Sequence, residues 1–79
     1  MSRVLIVTGG SRGLGAATCI RAAEQGYEAI CVNYVDNKER AEQVVAACEK
    51  AGAKAIPVRA DITKEADIIR MFETVDKEL

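Results

Sequence analysis

Four consecutive apolar residues, Val4-Leu5-Ile6-Val7, run without a spacer into Thr8-Gly9-Gly10-Ser11-Arg12-Gly13-Leu14-Gly15, and an alanine-rich segment follows. A short, continuously apolar run closed by glycines is the pattern of a strand covered on both faces. From Gly13 to Gln25 the pattern is helical, with Leu14, Ala17, Cys19, Ile20 and Ala23 as the expected inner face and Gly26 where a C-cap belongs. A buried strand delivered through glycines straight to a helix N-terminus leaves few architectures open. It also gathers unpaired amides and the positive end of the helix dipole at one place, which favours an anion there.

The rest of the chain repeats the alternation. Ala29 to Val32 is a second β-branched, mostly apolar run. Asp36 and Glu39 then stand at the spacing of a capping box, and Ala41, Val44, Val45 and Cys48 recur at helical spacing before Gly52. Ala55 to Ala60 reads as a third strand. Thr63 is the expected cap of a last helix whose inner stripe is Ile68, Phe72, Val75 and Leu79. The βαβαβα order predicts an α/β fold, a Rossmann-type doubly wound parallel sheet of which the first portion is present, with its three strands in the order 3-2-1. Pro57 fits that order, because a residue that cannot donate a ladder bond belongs on an edge strand. No linker or repeat divides the chain, so residues 1–79 are expected to be the N-terminal portion of a single domain.

Composition narrows the chemistry. The chain has 79 residues, 49% of them apolar, and a chain near this length buries only about 60% of its unfolded surface, so a self-sufficient core is marginal. Eleven basic and 12 acidic side chains are interspersed and give a net charge of -1, which argues against nucleic acid as a partner. The absence of histidine removes Ser/His/Asp triads, Cys/His dyads and mixed zinc sites. Cys19, Cys31 and Cys48 are odd in number and form no CxxC pair, so they are expected to be buried structural thiols, with no metal site and a reducing compartment. No run is long enough for a signal-peptide core or a membrane span, and a cytoplasmic protein without a membrane partner is expected.

Two phosphate motifs fail at the glycine loop. Gly10 and Gly15 have P-loop spacing, but Ala16 and Ala17 stand where lysine and a hydroxyl residue are needed, and the GxGxxG fingerprint would require glycine at Thr18. The loop does match TGxxxGxG through Thr8, Gly9, Gly13 and Gly15. Together with Val32-Asn33-Tyr34 and Asp61-Ile62-Thr63 at matching offsets, it resembles the short-chain dehydrogenase/reductase family along the whole chain. In that reading Gly9 takes a tight turn, Gly13 lets the backbone approach a pyrophosphate, and Gly15 lets the helix sit close to the sheet. A glycine-rich turn with no ligand is the plainer alternative.

The resemblance implies a pyridine dinucleotide cofactor. An NAD-selective site carries an acidic residue near the end of the second strand, whereas this one carries neutral Asn33, and Arg12 supplies a cation. NADP is therefore expected over NAD. The residues matching Ser11, Arg12, Asn33 and Tyr34 line the 2′-phosphate site in similar family members, Asp61 and Ile62 match positions that hold the adenine, and Leu14 matches one beside the pyrophosphate. Asp36 opposes this preference unless it turns away to cap the helix.

The implied reaction is hydride transfer between nicotinamide and a small carbonyl or alcohol substrate, by an enzyme expected to be a homo-oligomer. The family's catalytic tyrosine, lysine, serine and asparagine match no position in these residues, so no catalytic residue is assigned. Tyr34 and Lys38 have YxxxK spacing, but with a helix starting near Asp36 and Asn37, Tyr34 falls in the preceding loop, off the helical face. A non-catalytic dinucleotide-binding regulatory module and a ligand-free α/β scaffold are the competing readings. The string ends without a strand to cover the first one, which predicts that the residues open a longer enzyme.

Overall fold

The computed structural model describes residues 4–9 and 13–79. Its elements are β1 (Val4–Val7), α1 (Gly13–Glu24), β2 (Ala29–Tyr34), α2 (Lys38–Lys50), β3 (Lys54–Arg59) and α3 (Glu65–Glu78). The strands form one parallel sheet in the order β1-β2-β3, with Val4 opposite Ala29 and Ala29 opposite Lys54. This is the expected Rossmann-type arrangement, and Pro57 lies on the edge strand β3, opposite Val32.

The two-residue period of the strands sorts their side chains into two cores. Ile30, Val32, Tyr34 and Ala55 pack with Ala16, Cys19, Ala22 and Ala23 of α1 and Ala41, Val44 and Cys48 of α2, joined by Leu5 and Val7. On the opposite face Cys31 packs with Ala60, Met71 and Val75, joined by Ile6, Ile56 and Val58. Helices thus cover both faces, and every residue of central β2 is buried. That coverage explains why Ala29 to Val32 of β2 read as a continuous apolar run instead of an alternating one.

Both long connections close on glycine for the same reason. Gly26 and Gly52 have φ of 96° and 101°, a left-handed conformation that other residues adopt only under strain. Behind each, the next amide reaches back to the carbonyl three residues before the helix cap: Tyr27 N–H donates to Ala22 C=O and Ala53 N–H to Cys48 C=O, both at 3.1 Å. These are Schellman closures, and they turn each helix back toward its next strand.

Several local expectations are corrected. The α1 inner face is Ala16, Cys19, Ala22 and Ala23, while Leu14 and Ala17 are exposed, because burial follows the residues that face α2 and the sheet. The α2 cap is Asn37, whose Oδ1 accepts from Arg40 N–H at 2.9 Å; Asp36 lies before the cap and is exposed, so the Asp36/Glu39 box does not form. Lys64 occupies the N-cap of α3 without a side-chain bond, and the Thr63 hydroxyl turns to Asp61 instead. β2 runs two residues past Val32, so Tyr34 is a strand residue in the core instead of a loop residue. It still shares no helical face with Lys38, the first residue of α2. On α3 the buried residues are Met71 and Val75, whereas Phe72 is 52% exposed. Phe72 lines an open groove of about 580 Å³ with Val4, Ile6, Ile68 and Met71, beside the edge of β1 that pairs with no described strand.

The three cysteines are buried and none is in a disulfide. Burial pushes the Cys19 thiol up to about 12 and the Cys31 thiol up to about 11, so both are neutral, poor nucleophiles at physiological pH. Among the described residues no helix is long and apolar enough to cross a membrane.

Candidate dinucleotide-binding site

Because the strands are parallel, the segments leaving β1, β2 and β3 gather at one edge of the sheet, where ligands of open α/β folds bind. The β1 segment carries Thr8 and Gly9 and re-enters the described structure at Gly13, the first residue of α1. Gly9 and Gly13 have φ of 65° and 40°. Apart from its chain neighbours and the helix's own backbone, a Cβ built on either would meet no atom of the described residues within 4 Å, so open space lies over both. Positive φ, and no crowding by other protein atoms, requires glycine at these two positions. The first turn of α1 carries no acidic side chain that would oppose an anion at the positive end of its dipole. Gly10, Ser11 and Arg12 lie outside the described residues, as do the first three of the chain.

Asn33 is the one buried polar side chain among the described residues, at 1% exposure. Its carboxamide is fully engaged by backbone. Oδ1 accepts from Gly9 N–H at 3.3 Å, and Nδ2 donates to Val58 C=O at 3.3 Å and Ala60 C=O at 3.1 Å. The uncharged residue noted at the end of the second strand therefore faces the protein interior, where an unsatisfied amide would be expensive. Tyr34 beside it is buried on the opposite face, and the first exposed residue after them is Val35.

The β3 segment is organised by two carboxylates. Asp61 Oδ1 accepts from the Thr63 hydroxyl at 2.6 Å and from Thr63 N–H at 2.9 Å, and these bonds hold its carboxyl below the usual carboxylate value. The Asp61 amide donates to Asp67 Oδ2 at 2.9 Å, and Asp67 Oδ1 accepts from Arg70 at 3.0 Å. Leu14, Val35 and Ile62 are exposed large apolar residues, one on each of the three segments. Exposed side chains of this kind need no explanation singly.

The structure thus brings Gly9, Gly13, Leu14, Gly15, Asn33, Tyr34, Asp61 and Ile62 to one edge, with Asn33 and Tyr34 turned inward. Sequence reasoning missed Asp67, whose bond to a residue six positions earlier leaves no periodic signal.

The chain matches the family model for short chain dehydrogenase over residues 3–79. It belongs to the short-chain dehydrogenase family. The oxidoreductase YgfF of Escherichia coli is 40% identical over 74 residues, covering 94% of this chain and 30% of YgfF. Tetrahydroxynaphthalene reductase of Pyricularia oryzae is 41% identical over 75 residues, covering 95% of this chain and 26% of the reductase. A dehydrogenase from Burkholderia cenocepacia solved with bound NADP superposes with a TM-score of 0.92 at 28% identity, covering 96% of this chain and 29% of that one. The chain therefore spans less than a third of the length of these three proteins.

Proposed function

We propose that the intact protein is an NADP-dependent oxidoreductase that transfers a hydride between nicotinamide and a carbonyl or alcohol substrate. Residues 1–79 form the N-terminal portion of its single NAD(P)-binding domain and take the adenosine and pyrophosphate part of the cofactor. The observation that carries this reading is the glycine segment at the head of α1, with left-handed Gly9 and Gly13, open space above both and a first helical turn free of acidic side chains. Gly13, Leu14 and Gly15 would hold the pyrophosphate, and ionised Asp61 with exposed Ile62 the adenine. When bound, the cofactor supplies the hydride chemistry; these residues supply orientation and charge.

Preference for NADP rests on Ser11 and Arg12 in the glycine motif of the sequence and on the uncharged residue at the end of β2. The NADP held by the Burkholderia cenocepacia dehydrogenase supports it. Asp36 acts against it, because Asn37 takes the cap and leaves that carboxylate exposed. Arg12 decides the balance. In the intact protein, Arg12→Ala is expected to weaken NADP binding by about 10- to 100-fold, the loss of one charge-assisted bond to phosphate, while NAD binding stays nearly unchanged. Equal losses for both cofactors, measured by calorimetric titration, would remove the specificity. Three buried thiols, none of them in a disulfide, support a cytoplasmic setting, and the family resemblance supports a homo-oligomer.

A further inference from the structure

The Ala60–Asp61 peptide is gripped at both of its polar atoms. Ala60 C=O accepts from Asn33 Nδ2 at 3.1 Å, and Asp61 N–H donates to Asp67 Oδ2 at 2.9 Å. Fixing both ends of one peptide unit fixes its plane, and with it the direction in which Asp61 and Ile62 leave β3. The same Asn33 accepts from Gly9 N–H, two residues beyond the end of β1. β1 and β3 are not neighbours, since β2 lies between them. Asn33 therefore bridges two segments that the sheet ladder leaves unconnected.

We propose that Asn33 and Asp67 are positioning residues that set the glycine segment and the Asp61-Ile62 segment relative to each other, so that the pyrophosphate and adenine ends of the site form one preorganised unit. This rests on the dinucleotide reading above. The chemistry accounts for the residue types. Position 33 must accept one bond and donate two, which only a carboxamide of this length does; aspartate would set a carboxylate against two carbonyl oxygens. Position 67 must only accept toward Asp61 N–H, so asparagine there keeps the grip while losing the charge that pairs with Arg70.

That difference gives the test, made on the intact protein with NADPH and with 2′,5′-ADP, an adenosine phosphate lacking nicotinamide. Asp67→Ala is expected to weaken both ligands by roughly 10-fold, and Asp67→Asn to restore binding to within about threefold of wild type. Asn33→Asp is expected to weaken both by at least as much as Asp67→Ala; should it fail to fold, the Asp67 pair carries the test alone. Asp67→Ala within about twofold of a wild type that binds NADPH overturns the inference and leaves the dinucleotide reading standing, and so do equal losses in Asp67→Ala and Asp67→Asn. A wild type that binds neither ligand overturns both.

Discussion

Gly13→Val in the intact protein is expected to weaken NADP and NAD alike by about 100-fold or more, while stability falls by only about 1 to 2 kcal/mol. The stability term is the strain of a non-glycine residue held at a φ of 40°. It stays small because, beyond the adjoining backbone, a Cβ at this position meets no atom of the described residues within 4 Å. The binding term is larger on two counts: the space that a valine would fill is where the proposed pyrophosphate lies, and relieving the strain turns away the amides that would hold it. Losing one bond to a charged group costs about 1.5 to 3 kcal/mol, and the valine's own volume in that space adds to it. Calorimetric titration beside a denaturation curve separates the two effects, and wild-type affinity in a folded Gly13→Val protein would refute this role for the loop.

Ile30→Ala tests the packing instead. Ile30 is fully buried on β2, against helices whose buried faces are largely alanine. Deleting a fully buried isoleucine costs about 2 to 5 kcal/mol, more where neighbours cannot move in to fill the gap. Ala16, Ala22, Ala23 and Ala41 have no long side chains to do so, which places the expected loss near 4 kcal/mol, in the upper half of that range. Ile69→Ala, at a site 51% exposed, is expected to cost less than about 1 kcal/mol. Urea denaturation midpoints at unchanged slope give both values, and an Ile30→Ala loss below about 1 kcal/mol would contradict the two-core description.

What the amino-acid pattern disclosed and what it hid follow from the range of the interactions. The run Val4–Val7, the glycine after each of the first two helices and Pro57 on β3 are local signals, and each element they mark is present. The glycine motif also located the candidate site. Capping was misread because Asp36, Asn37, Thr63 and Lys64 offer neighbouring choices, and the winner depends on contacts made elsewhere: Thr63 is taken by Asp61, and Asn37 reaches Arg40 N–H. Phe72 has the spacing of a core residue, but it borders the open groove beside β1, so the helical stripe is only partly covered. Asn33 was legible as an uncharged residue at a strand end; its bonds to residues 24 to 27 positions away were not.

The central claim is that a dinucleotide pyrophosphate lies at the head of α1, and calorimetric titration of the intact protein with NADP and NAD tests it most directly. Saturable heat with both, tighter for NADP, is the predicted result. No heat of binding with either would contradict it.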